Sequence, residues 1–302
     1  MGSTRPGIDR CGHSQASIPY IVCRGQETKP RRWRSSRTPR SLGRVRYAVG
    51  FVLHYWDAFV ARQYGRVAPL VPPGDLWAIT DETGGPVADV PETLSRVPVT
   101  PERVGRLIGD VPRERGFIGL DGMLWWNIDI ATYALFDAHP AYEHCLTMDY
   151  DVCLNVDLGR LMQRVQNERL DLVCHSHADM ETWSWAKPHR GIYPGDELRG
   201  ALAAVMILSR PAASFLVARR RLAALEHRQG KRSFWPFGEA FVPSELARAG
   251  FRCAELGDFV DLTHFRWRPI VPEAALAAGI PRGATHPVRP HADGEALYPA
   301  QR

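Results

Sequence analysis

The chain has 302 residues, 45% of them hydrophobic and 24% charged, a balance typical of folded domains and a length sufficient for one large core or two small ones. No run of about 18 apolar residues occurs. The nearest, Ala201 to Ala218, is interrupted by Ser209-Arg210-Pro211, so the sequence predicts no membrane-spanning helix. No apolar segment follows a basic start either, which argues against a secretory signal.

The net charge of +5 conceals an asymmetry, since residues 1–46 hold eleven Lys/Arg against Asp9 and Glu27, and the remainder carries −4. An Arg/Ser/Pro-rich segment of this kind reads as a disordered basic extension over 1–45. Such a tail can touch nucleic acid or an anionic membrane surface. Composition alone favours a plain solvated extension, so no specific nucleic-acid partner is expected, while a peripheral membrane contact stays compatible with the charge. The six cysteines (Cys11, Cys23, Cys145, Cys153, Cys174, Cys253) are scattered without a C-x-x-C pair. That argues against a zinc ribbon or a disulfide framework and for reduced thiols in a cytoplasmic protein.

After the tail, the apolar run Arg46 to His54 predicts a buried strand. Phe59, Val60, Tyr64 and Val67 fall at helical spacing, and Pro69 and Pro72-Pro73-Gly74 stop that helix. Asp75 to Glu82 reads as a second strand, which completes a βαβ unit of a parallel sheet. Gly84-Gly85-Pro86 marks a turn. Residues 86–116 read as loop and short helix, with Thr100 opening a helix through Ile108. Trp125 to Ala138 is an aromatic-rich helix, and Cys145 to Leu154 contains a strand that ends in two acids. Val156 to Asn167 is a helix and Leu170 to Cys174 a strand. Leu198 to Leu208 fits either a strand or a helix. Ala212 to Arg228 is a helix with a basic face. Val242 to Ala249 is a short helix closed by Gly250, and Ala254 to Leu262 a last strand. The Pro/Arg-rich stretch after Trp267 reads as loop. Alternating strands and helices define an α/β fold with a mostly parallel sheet. It forms a single domain over 46–290, followed by a tail at 291–302.

Chemistry concentrates at Met148-Asp149-Tyr150-Asp151-Val152. Two acids two residues apart alternate sides along an ideal strand, but both can reach one ion where a strand ends and the chain turns. Hard carboxylate oxygens suit Mg²⁺ or Mn²⁺, and the carboxyl ends of strands are where open α/β sheets bind ligands. A D-x-D on its own arises often by chance, and a solvated turn with two acids fits the spacing equally well. No G-x-G-x-x-G or Walker loop is present, which argues against a dinucleotide enzyme or a P-loop ATPase.

The run from Trp125-Trp126-Asn127-Ile128-Asp129 through Tyr133, Phe136, Pro140, Tyr142 and His144, into the D-x-D and then Asn155-Val156-Asp157, resembles the middle of GT-A-type nucleotide-sugar glycosyltransferases. The resemblance spans roughly residues 46–290 and does not single out one family. It implies a GT-A-like, Rossmann-type sheet flanked by helices. It also implies transfer of a sugar from a nucleotide-diphosphate donor to a hydroxyl acceptor, either a glycan or lipid-linked, with Mn²⁺ or Mg²⁺ as cofactor. Asp149 and Asp151 would hold the metal, with Asp149 also meeting the donor diphosphate. Thr80 and Asp81, at the end of the second strand, would contact the base or ribose. Both equally suit a simple turn. Glu239, within Trp235-Pro-Phe-Gly-Glu-Ala-Phe241, would take the proton from the acceptor hydroxyl, as a Glu held among aromatics has a raised pKa. It also fits a helix-entry acid. In Thr285-His286-Pro287-Val288-Arg289, His286 would be a further metal ligand and Arg289 a diphosphate partner. Trp183 and Trp185 would line an acceptor-sugar groove, or simply pack in the core.

Two other readings compete. His175-Ser-His177-Ala-Asp179 follows a strand and resembles the start of the metallo-β-lactamase-like hydrolase motif. Met180 stands where that motif has another His, and the helix-rich surroundings fit it poorly. The third reading is a catalytically inactive transferase fold that only binds a partner.

Overall fold

In the computed structural model, residues 46–111 and 122–291 are described, apart from 178, 184 and 233. The expectations for the basic segment 1–45 and, beyond residue 291, for the tail 291–302 lie outside the described residues.

The first strand, β1 (Tyr47–Leu53), is buried along its whole length, as an unbroken apolar run covered on both faces requires. Asp57 caps α1 (Ala58–Val67) by accepting the Val60 N–H at 2.8 Å. The chain then enters β2 (Leu76–Asp81), parallel to β1. Residues 86–116, expected as loop and helix, also hold β3 (Arg96–Val99). This strand forms one edge of the sheet, where Pro98 is tolerated because no outer strand needs its missing N–H. Thr100 caps α2 (Pro101–Ile108) as its sequence suggests.

The helix expected over Trp125 to Ala138 is split into α3 (Met123–Trp126) and α4 (Ile128–Ala138). The break falls at Asn127, which has φ −129° and ψ 55°. Next come β4 (His144–Asp149), β5 (Cys153–Asn155), α5 (Leu158–Asn167) with Asp157 as its cap, β6 (Leu172–Ser176) and the single turn α6 (Ala186–His189). The ambiguous stretch before Leu208 is a strand, β7 (Ala201–Ser209), and Ser209 caps the long α7 (Arg210–Arg228).

The helix expected from Val242 begins earlier, as α8 (Gly238–Arg248), and carries Pro243 inside it. The Phe237 carbonyl accepts the N–H groups of Ala240 and Phe241 at 3.1 and 2.8 Å, so the first turn closes ahead of the proline. The strand expected over Ala254 to Leu262 is only β8 (Cys253–Glu255), which gives way to a 3-10 turn at Leu256. After it come β9 (His264–Phe265) and, in the stretch after Trp267 read as loop, three more short strands: β10 (Val271–Pro272), β11 (Gly283–His286) and β12 (Val288–Arg289). Each has two to four residues, too few to show periodicity.

The main sheet has seven strands in the order β3-β2-β1-β4-β7-β6-β8. Every ladder is parallel except the two made by β7. Alternate residues of β1 serve opposite faces. Val49, Phe51 and Leu53 join the core under α1 and α5, while Ala48 and Val52 join the core under α2, α4, α7 and α8. This is the helix-flanked, mostly parallel α/β sheet that the sequence predicts. No helix among the described residues is long and apolar enough to cross a membrane.

Candidate active site

A cavity of about 610 Å³ opens where β4 and β6 end and β7 begins. It brings together Asp149, Glu239 and His286 with a wall of aromatic residues. The position follows from topology, since the carboxyl ends of neighbouring parallel strands leave a crevice that loops can furnish.

Asp149 is the last residue of β4, and the Val152 N–H bonds back to its carbonyl at 3.1 Å. This tight turn swings Asp151 round to the side of its neighbour. The C-terminal strands supply the third group. β11 pairs antiparallel with β5, the strand immediately after the turn, aligning Thr285 with Cys153. The Val288 N–H then bonds the Asp151 carbonyl at 2.8 Å. Asp149, Asp151 and His286 thereby offer ligand atoms that all lie within 4.8 Å of one another, the one such group among the described residues. Imidazole Nε2 of His286 stands 3.6 Å from an Asp151 carboxylate oxygen. Its Nδ1 lies 3.0 Å from the Arg266 carbonyl. A carbonyl can only accept, so Nδ1 carries the proton and Nε2 presents its lone pair to the carboxylates. Burial lowers the His286 pKa, which keeps the ring neutral.

The donor set passes a chemical test for a divalent cation. Loss of hydration, then the charges of Asp151 and Glu239, raise the Asp149 carboxyl well above the ordinary carboxylate range, with Arg289 opposing. Crowded carboxylates beside a neutral imidazole are what a bound cation would relieve. Two carboxylates and one imidazole suit Mn²⁺ or Mg²⁺ better than a soft metal. Arg289 pairs with Asp151 at 2.8 Å, donates to the Tyr150 hydroxyl and sits over that ring. It therefore braces the second carboxylate from behind.

Glu239 reaches the same cavity from the first turn of α8. Its carboxylate accepts the Ala203 N–H at 3.3 Å. That donor is available because β6 and β7 slip register between Cys174 and His175, where Cys174 faces Met206 but His175 faces Leu202. A β-bulge of this kind leaves ladder groups unpaired. Burial raises the Glu239 carboxyl to about 7, and the Ala203 bond only partly offsets it.

The approach of α8 is held by buried polar groups. Arg220, on α7, grips Asp129 through two bonds of 2.8 and 2.9 Å and the Pro236 carbonyl at 2.6 Å. Its guanidinium lies 3.8 Å over the Phe241 ring. His189 receives the Phe237 N–H on Nε2 at 3.0 Å and gives its Nδ1 proton to the Trp185 carbonyl at 2.6 Å. Trp235 donates to the side chain of Asn127 at 2.9 Å, at the break between α3 and α4. Gly238 is required here, because a Cβ would stand 2.7 Å from an Asp129 carboxylate oxygen.

Thr80 and Asp81 sit at the end of β2 but do not line the cavity. Thr80 donates to Glu82 at 2.6 Å. Asp81 accepts from the Thr83 hydroxyl at 2.6 Å and the Leu124 N–H at 2.9 Å, tying the start of α3 to the sheet.

The competing His-x-His-x-Asp segment is dispersed. His175 turns away to Glu255 at 2.8 Å, His177 stacks on Trp183 with centroids 5.1 Å apart, and Asp179 accepts the N–H of Glu181 in its own turn. His177 and Asp179 line the cavity without His175, and the three form no ligand group. Sequence reasoning missed Trp126, Phe237 and Trp267 as lining residues, and it missed the Ala203 N–H. Aromatic density hinted at the former, but a bulge in β7 leaves no local mark.

No protein-family model matches the chain, and neither does any curated protein. Three solved structures similar to it are all glycosyltransferases. The apo form of mouse xyloside xylosyltransferase 1 is 11% identical, with a TM-score of 0.42 over 77% of this chain and 90% of that one. The galactosyltransferase LgtC in complex with donor and acceptor sugar analogs is 13% identical, with a TM-score of 0.41 over 80% and 87%. A glycosyltransferase involved in glycosylation of the major capsid of PBCV-1 is 10% identical, with a TM-score of 0.34 over 69% and 81%. Likenesses this distant say nothing of donor, acceptor or mechanism, which must come from the site's own residues.

Proposed function

We propose that the protein is a metal-dependent glycosyltransferase that moves a sugar from a nucleotide-diphosphate donor to a hydroxyl acceptor. The observation that carries this reading is the convergence of Asp149, Asp151 and His286 within 4.8 Å, beside Glu239 in the same cavity. Asp149, Asp151 and His286 would hold Mn²⁺ or Mg²⁺, whose positive charge would steady the diphosphate as it leaves. Arg289 orients Asp151 through their 2.8 Å pair. Glu239 accepts the proton of the acceptor hydroxyl while that oxygen bonds to the anomeric carbon and the bond to the diphosphate breaks. A base in this role implies attack from the face opposite the leaving group, and therefore inversion at the anomeric carbon. The aromatic wall shields the reacting centre from water, which would otherwise compete as acceptor.

The first test is thermal denaturation with UDP, GDP, ADP or CDP, each with and without Mn²⁺. One nucleotide should raise the melting temperature only when the metal is present, and Asp149→Ala/Asp151→Ala should lose that response while still unfolding cooperatively. A metal-independent response retained by the double variant would overturn the assignment of these acids.

A further inference from the structure

The cavity mouth carries more exposed indole than packing explains. Trp125, Trp185 and Trp267 are 39%, 38% and 55% exposed, whereas Trp235 is 1% exposed. Each large apolar surface left in water forgoes burial energy, and these three all border the same cavity. They fall into two groups. In the first, Trp126 meets Trp185 edge to face with centroids 4.9 Å apart and lies 4.8 Å from Phe237, next to Glu239. In the second, Trp125 on α3 meets Trp267, from the loop after β9, at 5.7 Å and 62°.

The polar lining of the cavity has one sign. Asp149, Asp179 and Glu239 border it together with Thr182, His177 and His286, and no lysine or arginine occurs among the described lining residues. A phosphate-bearing or otherwise anionic acceptor would find no lysine or arginine among those residues to pair with. A neutral saccharide matches both features, because its C–H faces carry the positive edge that aromatic π-faces attract, and its hydroxyls donate to carboxylates. A volume of about 610 Å³ falls within the range of sites that enclose a ligand of several rings.

Building on the transferase reading, we propose that the acceptor is a neutral oligosaccharide. Trp126, Trp185 and Phe237 hold its reacting ring, and Trp125 with Trp267 forms a second subsite for the adjoining ring. Trp125 and Trp267 then set acceptor length and touch no part of the donor.

The test uses the full chain without nucleotide or metal, first on an array of neutral and anionic glycans and then by calorimetric titration. The titration ligands are the strongest neutral disaccharide, its constituent monosaccharide and farnesyl diphosphate. The disaccharide should bind more tightly than the monosaccharide. Trp125→Ala and Trp267→Ala should each weaken the disaccharide about tenfold, leave monosaccharide binding and melting temperature unchanged, and leave the Mn²⁺-dependent nucleotide response intact. Unchanged disaccharide affinity in both variants would overturn the second subsite. Binding of farnesyl diphosphate or anionic glycans alone, or of no neutral glycan on the array, would overturn the acceptor class. Saccharide binding by the native protein, together with no response of the native protein to any nucleotide with or without Mn²⁺, would retire the transferase reading and keep the saccharide site.

Discussion

Glu239 titrates near 7 because burial among aromatic side chains disfavours its charged form, while the Ala203 N–H offsets only part of that cost. A base must be ionised to act, so transfer should rise with pH through about 7 and level off above it. Glu239→Gln should lower kcat by about 10²–10⁴-fold, remove that rise, and leave metal-dependent nucleotide binding near the native level. Equal losses in turnover and nucleotide affinity would count against the base role. The raised pKa also has a sign for stability. Its folded value of about 7 exceeds the ordinary 4.5, so the protonated side chain's contribution is complete below about 4.5 and is lost as pH rises through 7. At pH 8 without metal, Glu239→Gln should therefore melt above the native protein.

Between elements, the segment from Trp235 to Gly238 is fixed by groups that are polar and fully buried. Arg220 and Asp129 form an ion pair with no exposure on either side chain. Breaking such a pair leaves an uncompensated charge, so α7, α4 and the entry to α8 move together or not at all. His189 couples this bundle to the tryptophan wall. Burial lowers its pKa to about 4 from the ordinary 6.5. The unfolded chain therefore takes up the proton first as pH falls. Stability from this group is complete above 6.5 and is lost as pH falls towards 4, by about 3 kcal/mol in all. His189→Ala should flatten the acid limb of the stability profile, measured by urea unfolding at pH 4 to 7. It should also lower kcat, because the Phe237 N–H loses its acceptor and Glu239 loses its support. An unchanged acid limb would mean that burial does not hold His189 neutral, and an unchanged kcat that it does not support Glu239.

For the molecule as a whole, the decisive event is the return of the C-terminal strands to the end of β4. β11 can lie against β5 because Gly283 adopts φ +101°, and a Cβ there would stand 2.1 Å from the Asp261 carbonyl oxygen. Gly283→Ala should cost at least about 1–3 kcal/mol of stability. It should also weaken the Mn²⁺-dependent nucleotide response, since His286 ends the same strand. A destabilised variant with unaltered metal dependence would show that Gly283 is not what positions His286.

The α/β class, the βαβ start and the D-x-D at a strand end were legible in the sequence. Apolar runs, helical spacing and caps such as Asp57 and Thr100 act locally, and each was written in a few consecutive residues. Glu239 could be singled out for its aromatic neighbours, and His286 with Arg289 through a family resemblance. Their meeting with Asp149 and Asp151 was not legible. It depends on strands of two to four residues paired with distant partners, on a bulge in β7 that includes Ala203, and on long-range side-chain bonds such as Trp235 to Asn127. Thr80 and Asp81 mark the same boundary. Their place at the end of β2 was readable, and so were the local bonds to Glu82 and Thr83, but the long-range bond from the Leu124 N–H to Asp81 and their position outside the cavity were not. Local residue chemistry determined the elements. The convergence of acids, imidazole and indoles on one cavity was decided by long-range pairing, whose energy no single stretch of sequence contains.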